Sequence, residues 1–592
     1  MFLVRGWARL RRTKIVCTIG PASENKEVVR GLLTAGMDVA RLNFSHGSHA
    51  EHKRRINTLR AVAQEMGRPL GIMLDNRGPE IRLGTFRGGR IKLEEGDTFT
   101  LTTEQVTGDR TRAYVTYSGL PRDVRPGQTI LLADGAIAME VLEVRENEVV
   151  CRVKNSGELS DRKKLNLPGA SVSLPALSEQ DVADLAFGVE NGVDFVAASF
   201  IRKAEDVLEI RRVLEEKGAD IPIIAKIESR EGVANIDAIL RAADGVMVAR
   251  GDLGIEIPAE EVPLIQKIII KKANRLGKPV ITATQMLESM VANPRPTRAE
   301  ASDVANAILD GSDAVMLSEE TATGRYPKEA VATMARIAER AETALPYAEL
   351  LGRRGLEADV SVTDAISYAT CSAASALKAA AIVVSTSSGY TARMVARYRP
   401  AAPIIAITPS EAVVRRLLLV WGVVPEWAPA TANTDEMIDR AVDTALNRGY
   451  IHQGDLVVIT AGVPAGVAGT TNLIKVQVVG DVLARGSGVG HVGVSGQVAV
   501  VKDAAEGRRK FKRGQILVTT ATDRSLVPFM EQAAAIITEE PGLSSHAAVV
   551  GLNLGIPVVV GVEGAVELLA DGMVVTVDPV RGLIYRGRAQ VR

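Results

Sequence analysis

Buried strands and amphipathic helices alternate along two stretches of the chain, residues 13–75 and 177–343. Apolar runs such as TKIVCTI (13–19) and IPIIAKI (221–227) are typical of strands that are buried on both faces. Segments with helical periodicity separate these runs. The pattern predicts eight strands, each followed by a helix, and therefore a (β/α)8 TIM barrel.

A different pattern fills residues 76–164, between the third and fourth predicted strands. Short alternating runs such as TFTLTT (98–103), AYVTY (113–117) and EVVCRV (148–153) are separated by Gly, Asp and Pro turns. We predict an inserted all-β domain here, a small β-barrel lid.

Two further patterns follow the barrel. A second alternation of strands and helices predicts a separate doubly wound α/β domain, and short apolar runs such as QILVTT (515–520) then predict a C-terminal mixed β/α domain. The predicted domains are the barrel at 1–75 and 165–350, the lid at 76–164, the α/β domain at 351–475 and the last domain at 476–592.

Length and composition agree with several aliphatic cores. At 592 residues the chain is long enough for about four domains of roughly 150 residues, and hydrophobic residues make up 46% but aromatic residues only 4%. Lys plus Arg and Asp plus Glu both number 71, which argues against nucleic acid as a whole-chain partner. A local anion site stays compatible with this balance.

The three cysteines, Cys17, Cys151 and Cys371, are far apart in the sequence and form no metal-binding spacing. This usage is typical of a reducing, cytoplasmic setting. The first residues lack a cleavage signal, and no apolar run reaches the ~18 residues of a membrane span, so we expect neither secretion nor a membrane partner.

Candidate chemistry centres on residues 223–258, predicted as strand, helix, strand and loop. Side chains two apart on a strand share a face, so Lys226 and Glu228 point the same way, and Asp252 follows the next strand in a Gly-Asp turn. One ammonium beside two carboxylates suits a divalent metal and an anionic substrate. The alternative is a salt-bridged pair, but α/β barrels place their active sites at these strand ends.

Other distinctive polar residues also follow predicted barrel strands, which makes this rim the predicted active face. The distinctive polar residues at the C-terminal ends of the predicted strands are Arg41, Asp75, Lys226, Asp252, Thr284 and Glu319.

Two Gly-rich loops follow strands of the α/β domain, STSSGYTAR (385–393) and AGVPAGVAGTTN (461–472). Hydroxyls and a glycine between a strand and a helix start suit a phosphate, although an ordinary capping turn explains the first loop equally well. Two such loops in one small domain favour an effector pocket. In the last domain His546 begins a predicted helix after a Gly-rich turn.

Long motifs along residues 11–475 resemble the pyruvate kinase family. They include TKIVCTIGPAS (13–23), ARLNFSHG (40–47), VARGDLGIEIP (248–258), ITATQMLESM (281–290) and NPRPTRAEASDVANAILDG (293–311). The resemblance implies transfer of a phosphoryl group from phosphoenolpyruvate to ADP, giving pyruvate and ATP. It also implies a barrel, a lid, a regulatory α/β domain and a homotetramer.

The resemblance implies a role for each candidate. Glu228 and Asp252 would bind Mg2+ or Mn2+, and Lys226 would stabilise charge on the phosphoryl group and the enolate. Arg41 would bind the substrate phosphate, and Gly251 and Thr284 would lie beside the substrate. The implied ATP/ADP-binding residues are Asn43, Phe44, Ser45, His46, Arg82 and Lys163. The implied K+ ligands are Asn43, Ser45, Asp75 and the carbonyl of Asn76, and Glu80 resembles the acidic residue that accompanies K+ dependence.

Three positions depart from the family pattern. Asn76 and Arg77 stand where the family usually has Thr and Lys, and Lys164 stands where it usually has Gly. Asn76 is acceptable if only its carbonyl is used. Arg77 changes the geometry of a charge, and Lys164 adds charge near the nucleotide or shifts the lid exit.

The effector loop of relatives is matched by Thr386, Ser387, Ser388, Gly389 and Thr391. We expect a phosphorylated effector, AMP or a sugar monophosphate, because the second loop lacks the aromatic and arginine of relatives that respond to sugar bisphosphates. A purely structural loop is the alternative.

Residues Gly542 to Ala548 resemble the mobile domain of phosphoenolpyruvate-utilising enzymes, in which the residue matching His546 is phosphorylated. A domain retained for packing or subunit contact is the favoured alternative, since pyruvate kinase chemistry needs no phosphohistidine.

Two rival functions use similar residues. A barrel lyase or aldolase acting on pyruvate would also place Glu and Asp on Mg2+, and an ADP requirement would separate it from a kinase. A catalytically silent phosphoenolpyruvate sensor would lack measurable ATP production.

Overall fold

The computed structural model describes residues 11–170, 172–355, 360–463, 470–480 and 482–589. Eight parallel strands form a closed barrel, as predicted. In chain order they are Lys14–Thr18, Val39–Asn43, Gly71–Asp75, Phe195–Ala198, Ile223–Ile227, Gly245–Ala249, Val280–Ala283 and Ala314–Leu317.

Alternate side chains of each barrel strand face opposite sides. In the strand Ile223–Ile227, Ile223, Ala225 and Ile227 pack in the layer between strands and helices, whereas Ile224 packs inside the barrel. Lys226 shares the inward face of Ile224 because strand side chains alternate with a period of two. The lysine therefore points into the barrel mouth.

Helices surround the barrel, and several begin at side-chain caps. Ser48, Ser178 and Thr297 each form a capping box with the acidic residue three positions later, which satisfies the first free N–H groups of the helix. The α-helices of this region are Lys26–Ala35, His49–Glu65, Glu179–Glu190, Ala204–Glu216, Arg230–Ala234, Ile236–Ala242, Arg250–Glu256, Val262–Arg275, Arg298–Asp310, Glu319–Ala322, Pro327–Glu342 and Tyr347–Arg353. A 3₁₀ helix spans Glu288–Val291.

The prediction of a loop at Gly251 and Asp252 was wrong. The segment Arg250–Glu256 is a short α-helix that starts directly after the strand Gly245–Ala249. Asp252 thus lies in the first turn of a helix, where its orientation is set by the helix backbone.

The insert is an all-β domain, as predicted. Its seven-stranded sheet has the order Ile81–Arg82, Lys164–Asn166, Thr129–Leu132, Ile137–Val144, Glu148–Val153, Thr98–Thr102 and Arg112–Tyr114. A bridge between Leu83 and Val115 brings the two edges together, which closes the sheet around an apolar core. The strands Arg90–Leu93 and Gly157–Ser160 pair separately, and a helix spans Leu120–Asp123.

The following α/β domain has a five-stranded sheet with the order Val423–Trp427, Ile404–Thr408, Ala381–Ser385, Leu456–Ala461 and Leu473–Val478. Only the last strand is antiparallel to its neighbour. The domain boundary predicted at 475 falls inside this strand. Its helices are Val362–Ala376, Tyr390–Ala396, Glu411–Leu417 and Thr434–Asn447.

The sequence pattern missed the strand Val423–Trp427. It lies at the sheet edge, contains Pro425 and is exposed at Trp427, so it lacks the continuous apolar run of its neighbours.

The C-terminal domain is mixed β/α, as predicted. Its eight-stranded sheet has the order Val482–Arg485, Leu583–Arg586, Val574–Asp578, Val494–Val500, Ile516–Thr519, Ala535–Thr538, Val558–Val560 and Ser487–Val489. Its helices are Ala504–Lys510, Val527–Met530, His546–Leu554 and Ala565–Leu568. Among the described residues, no helix is long and apolar enough to cross a membrane.

Candidate active site

Lys226 lies at the centre of a buried charge cluster at the barrel mouth. Its Nζ is 3.1 Å from Asp75 Oδ1 and 3.1 Å from Glu228 Oε1, and it donates a 2.7 Å hydrogen bond to Ser199 Oγ. Burial opposes the charge of the ammonium, but Asp75 and Glu228 outweigh it and raise the pKa of Lys226 well above its ordinary value. Lys226 is therefore a fixed positive charge at the predicted position.

Asp75 holds a second cation, Arg41. The Nε of Arg41 donates to Asp75 Oδ2 at 2.6 Å, and its Nη1 donates to Thr18 Oγ1 at 2.9 Å. Burial alone would raise the pKa of Asp75, but Arg41 and Lys226 lower it. One carboxylate thus orients two cations that converge on the same space, an arrangement that suits a phosphoryl group.

Glu228 directly follows the strand Ile223–Ile227, and Asp252 lies in the short helix that follows the neighbouring strand Gly245–Ala249. Burial and the nearby Asp252 raise the pKa of Glu228, while the backbone N–H of Phe200 donates to Glu228 Oε2 at 2.6 Å. Despite burial, the pKa of Asp252 is lowered, chiefly by Lys164. Two carboxyl groups this close repel each other unless a proton or a cation lies between them.

This pair fits a divalent cation. Mg2+ is usually held by one or two carboxylates and keeps water and substrate oxygens as its other ligands. No cluster of three or more His, Cys, Asp or Glu side chains suited to a metal occurs in the described ranges. Glu228 and Asp252 are the two carboxylates that such a site would use, with water and substrate oxygens as the remaining ligands.

Gly251 and Thr284 meet at the ends of adjacent strands. The Gly251 N–H donates to Thr284 Oγ1 at 2.8 Å, and a Cβ atom at Gly251 would lie only 3.4 Å from this oxygen. Thr284 has a φ of +66°, which is strained for a β-branched residue.

Arg250 supports this strained segment, although no sequence motif pointed to this role. Its Nη2 donates to the Thr284 carbonyl at 2.7 Å, and its Nη1 donates to Asp303 Oδ1 at 2.8 Å. Ser199, which binds Lys226, was missed as well. Serine and arginine are common residue types, and only the folded contacts distinguish these two.

The predicted K+ ligands come from the second and third strands. Asn43 is in register with Asp75, and the Asn43 Oδ1 accepts from the Ser45 N–H at 3.1 Å. The Asn76 carbonyl accepts from Ser199 Oγ at 2.8 Å. Asn43 and Asp75 thus lie side by side at the ends of adjacent strands, and Asn76 directly follows Asp75.

The Asn76 side chain is held by two hydrogen bonds of its own. Its Oδ1 accepts from the Ser199 N–H at 2.8 Å, and its Nδ2 donates to Asp181 Oδ1 at 3.1 Å. The departure at position 76 therefore has a structural role. Arg77 is exposed.

The predicted nucleotide residues form two groups. Asn43 to His46 lie on the barrel rim, where Phe44 is buried and stacks on His52 with ring centroids 4.0 Å apart, while His46 is exposed. Arg82 ends the lid strand Ile81–Arg82, and the exposed Lys163 directly precedes the strand Lys164–Asn166 that pairs with it. A nucleotide that touches both groups has to lie between the lid and the barrel.

Glu80 restrains Arg82, the arginine predicted to bind the nucleotide. The Nε of Arg82 donates to Glu80 Oε2 at 2.9 Å, and its Nη1 donates to the Arg162 carbonyl at 3.0 Å.

Lys164 reaches from the lid into the charge cluster. Its Nζ lies 2.7 Å from Asp252 Oδ1, 3.8 Å from Glu80 Oε1 and 4.4 Å from the centroid of the Phe200 ring. Burial disfavours its charge, but Asp252 raises the pKa of Lys164. The departure at this position therefore adds a cation directly at the predicted metal ligand.

In the α/β domain, Thr386, Ser387, Ser388 and Thr391 line a cavity of about 210 Å³ together with Arg440. Gly389 has a φ of +80° and its N–H donates to Thr386 Oγ1 at 3.0 Å. Of the second loop, residues 464–469 lie outside the described residues.

His546 begins the helix His546–Leu554, as predicted. Its Nδ1 is 2.8 Å from Thr522 Oγ1.

The matches to known protein families follow the domains of the structure in chain order. Residues 10–331 match the model for the pyruvate kinase barrel domain, and residues 364–477 match the model for the pyruvate kinase alpha/beta domain. The chain belongs to the pyruvate kinase family. Residues 511–582 match the mobile domain of PEP-utilising enzymes, which agrees with the resemblance seen in the last domain.

Relatives named pyruvate kinase cover nearly the whole chain. Those of Geobacillus stearothermophilus and Bacillus licheniformis are 57% and 55% identical, each over 98% of this chain and 100% of the relative. A crystal structure of a pyruvate kinase from Cryptosporidium parvum is 42% identical and has a TM-score of 0.76, over 79% of this chain and 96% of that one. The chain is thus a phosphotransferase, and the comparisons support neither the lyase or aldolase nor the silent sensor.

Proposed function

We propose that Lys226 is the central catalytic group for phosphoryl transfer from phosphoenolpyruvate to ADP. The observation that carries this is its Nζ position, 3.1 Å from both Asp75 and Glu228 inside the barrel mouth. Enzymes accelerate such transfers mainly by positioning and by neutralising charge. The fixed ammonium would stabilise the migrating phosphoryl group and the enolate left behind.

Glu228 and Asp252 would hold Mg2+ or Mn2+ beside Lys226. Bound there, the metal ion would neutralise charge on phosphate and enolate oxygens. Arg41 is oriented by Asp75 at 2.6 Å, and its guanidinium would bind the substrate phosphate.

Gly251 and Thr284 would border the rest of the substrate. The absence of a side chain at Gly251 leaves room for a carboxylate near the start of the helix Arg250–Glu256. Thr284 would lie beside the carbon that is protonated when the enolate becomes pyruvate.

Asn43, Ser45, Asp75 and the Asn76 carbonyl would bind K+. Neutral amide, hydroxyl and carbonyl oxygens with one carboxylate suit a weakly hydrated monovalent cation. ADP and ATP would be contacted by Arg82 and Lys163 on the lid and by Asn43, Phe44, Ser45 and His46 on the rim. Because the Phe44 ring is buried, Phe44 would make its contact through backbone atoms.

The cavity at Thr386, Ser387, Ser388, Gly389 and Thr391 would bind a phosphorylated effector, AMP or a sugar monophosphate. Arg440 lines the same cavity and adds the cation that a phosphate site requires. We further propose a homotetramer in the cytoplasm. The three cysteines, all free and buried, suit that reducing setting.

A coupled assay of pyruvate formation with phosphoenolpyruvate, ADP, Mg2+ and K+ tests the central role of Lys226. Lys226→Met should lower kcat by about 10²–10³, the size seen when one charge-stabilising group is removed. Lys154→Met is the matched control, because Lys154 is an exposed lid lysine that pairs with Glu140 at 3.0 Å. Near-wild-type kcat in Lys226→Met would contradict the proposal.

A further inference from the structure

The contact between Lys164 and Asp252 joins the lid to the barrel. Lys164 belongs to the lid strand Lys164–Asn166, and Asp252 belongs to the barrel helix Arg250–Glu256. Their charged atoms are 2.7 Å apart, and the Lys164 side chain is only 12% exposed. This is a short, largely buried ion pair between two domains.

The same ion pair occupies a carboxylate that a divalent cation would need. Asp252 Oδ1 accepts from Lys164, and Glu228, the other proposed metal ligand, follows the barrel strand that neighbours the strand before Asp252. A metal ion held by both carboxylates would bring two positive charges to within a few ångströms of the Lys164 ammonium, and their repulsion is strong in a partly buried site.

We propose that Lys164 is an intramolecular competitor for the metal ligand Asp252 and is displaced when a divalent cation binds. This inference rests on the proposed role of Asp252 as a metal ligand. Lys164 and the metal ion compete for Asp252. Metal binding therefore weakens the ion pair that joins the lid to the barrel, and this ion pair weakens metal binding in return.

Glu80 is the acceptor to which a displaced Lys164 can move. Its Oε1 lies 3.8 Å from the Lys164 Nζ, while its Oε2 accepts from Arg82 at 2.9 Å. A lysine that pairs with Glu80 shares this carboxylate with Arg82, the proposed nucleotide arginine. Metal binding would thereby affect Arg82 through two contacts, that of Lys164 with Glu80 and that of Glu80 with Arg82.

Titration of the full chain with Mn2+, followed by electron paramagnetic resonance without substrate or nucleotide, tests the competition directly. Lys164→Met should bind Mn2+ about fivefold more tightly or better, the lower end of typical coupling between linked sites. Lys164→Arg keeps the cation and should stay within twofold of the wild type, as should the control Lys154→Met. Equal or weaker Mn2+ affinity in Lys164→Met would overturn the proposal.

Asp252→Asn distinguishes a failure of this inference from a failure of the metal assignment. If Asp252→Asn loses Mn2+ binding while Lys164→Met is unchanged, only the competition is wrong. If Asp252→Asn binds Mn2+ like the wild type, both are wrong. Circular dichroism and thermal unfolding establish that each variant is folded. If Lys164→Met does not fold, Lys164→Gln serves as a second neutral variant.

Hydrogen exchange of the backbone amides of residues 164–170 measures how firmly the lid is attached to the barrel, independently of the Mn2+ affinity. Mn2+ should speed exchange there in the wild type and leave it unchanged in Lys164→Met, in which the ion pair is already absent. No effect of Mn2+ on the wild type would contradict the coupling.

Discussion

Arg250 donates a 2.7 Å hydrogen bond to the backbone carbonyl of Thr284. Thr284 and Gln285 both have positive φ, +66° and +54°, conformations that cost about 1–3 kcal/mol for a non-glycine residue. The guanidinium also binds Asp303, so the strained turn is fixed to the helix Arg298–Asp310. In this conformation the Thr284 hydroxyl accepts a 2.8 Å hydrogen bond from the Gly251 N–H.

Replacement of Arg250 should therefore impair catalysis without removing a group that touches substrate. We expect Arg250→Met to lower kcat by about 10- to 100-fold, because small misplacements in an active site have effects of this size. Mn2+ affinity should stay unchanged. Arg250→Lys should recover only part of the rate, because a lysine cannot make all of the hydrogen bonds that the guanidinium group donates. The control is Arg212→Met, which removes an exposed arginine paired with Glu216. A normal kcat in Arg250→Met would show that Thr284 does not need this support.

Removal of the Asp75 carboxylate should strongly destabilise the chain. Asp75→Asn leaves Arg41 and Lys226 buried without their shared partner, which costs about 3–5 kcal/mol in comparable buried pairs. Urea unfolding measures this loss. The control Glu158→Gln breaks an exposed pair with Arg90 and should change the free energy of unfolding by less than about 1 kcal/mol.

The pH dependence of the same variant follows from the lowered pKa of Asp75. An acid whose pKa is lower in the folded state stabilises the fold above its unfolded pKa, about 3.9, and loses that contribution as the pH falls through the folded value. The stability difference between wild type and Asp75→Asn should thus be constant from neutral pH down to about pH 4 and shrink below it. A difference that already shrinks between pH 7 and pH 5 would contradict the lowered pKa.

K+ should activate the enzyme. Asn43 and Asp75 are in register, and the Asn76 carbonyl lies beside them, so the oxygens required for a monovalent cation come from adjacent strands. We expect activity to fall when K+ is replaced by choline at equal ionic strength and to return on addition of K+. Full activity in choline medium would exclude the proposed site.

The charge cluster shows what a sequence pattern can predict about a site. Lys226 and Glu228 were predicted to share a face because strand periodicity is local and regular. The helical position of Asp252 was missed because Arg250–Glu256 is too short for a helical pattern. Its ion pair with Lys164 depends on how the lid meets the barrel, which no local pattern contains.

Effector activation should depend on Arg440. Its side chain lines the same cavity as Thr386, Ser387 and Ser388, and among these residues it alone carries a positive charge. We expect Arg440→Met to lose activation by AMP or a sugar monophosphate, measured as the ratio of activated to basal rate. Arg448→Met serves as the control, because Arg448 is an exposed arginine of the same domain that pairs with Glu426. Unchanged activation in Arg440→Met would place the effector elsewhere.

His546 should not carry a phosphoryl group. Its Nδ1 is bound to Thr522 at 2.8 Å, and the next residue is the acid Asp523, whose pKa is lowered chiefly by hydrogen bonds from Ser525 and to a smaller extent by His546. A negative charge beside the ring disfavours an added phosphoryl dianion, and the Ser545 hydroxyl already accepts from the Ala548 N–H at the helix start. Mass spectrometry under conditions that preserve phosphohistidine should find no label on His546 after incubation with phosphoenolpyruvate. His546→Gln should then keep the wild-type kcat, whereas a label that disappears in this variant would establish a phosphohistidine.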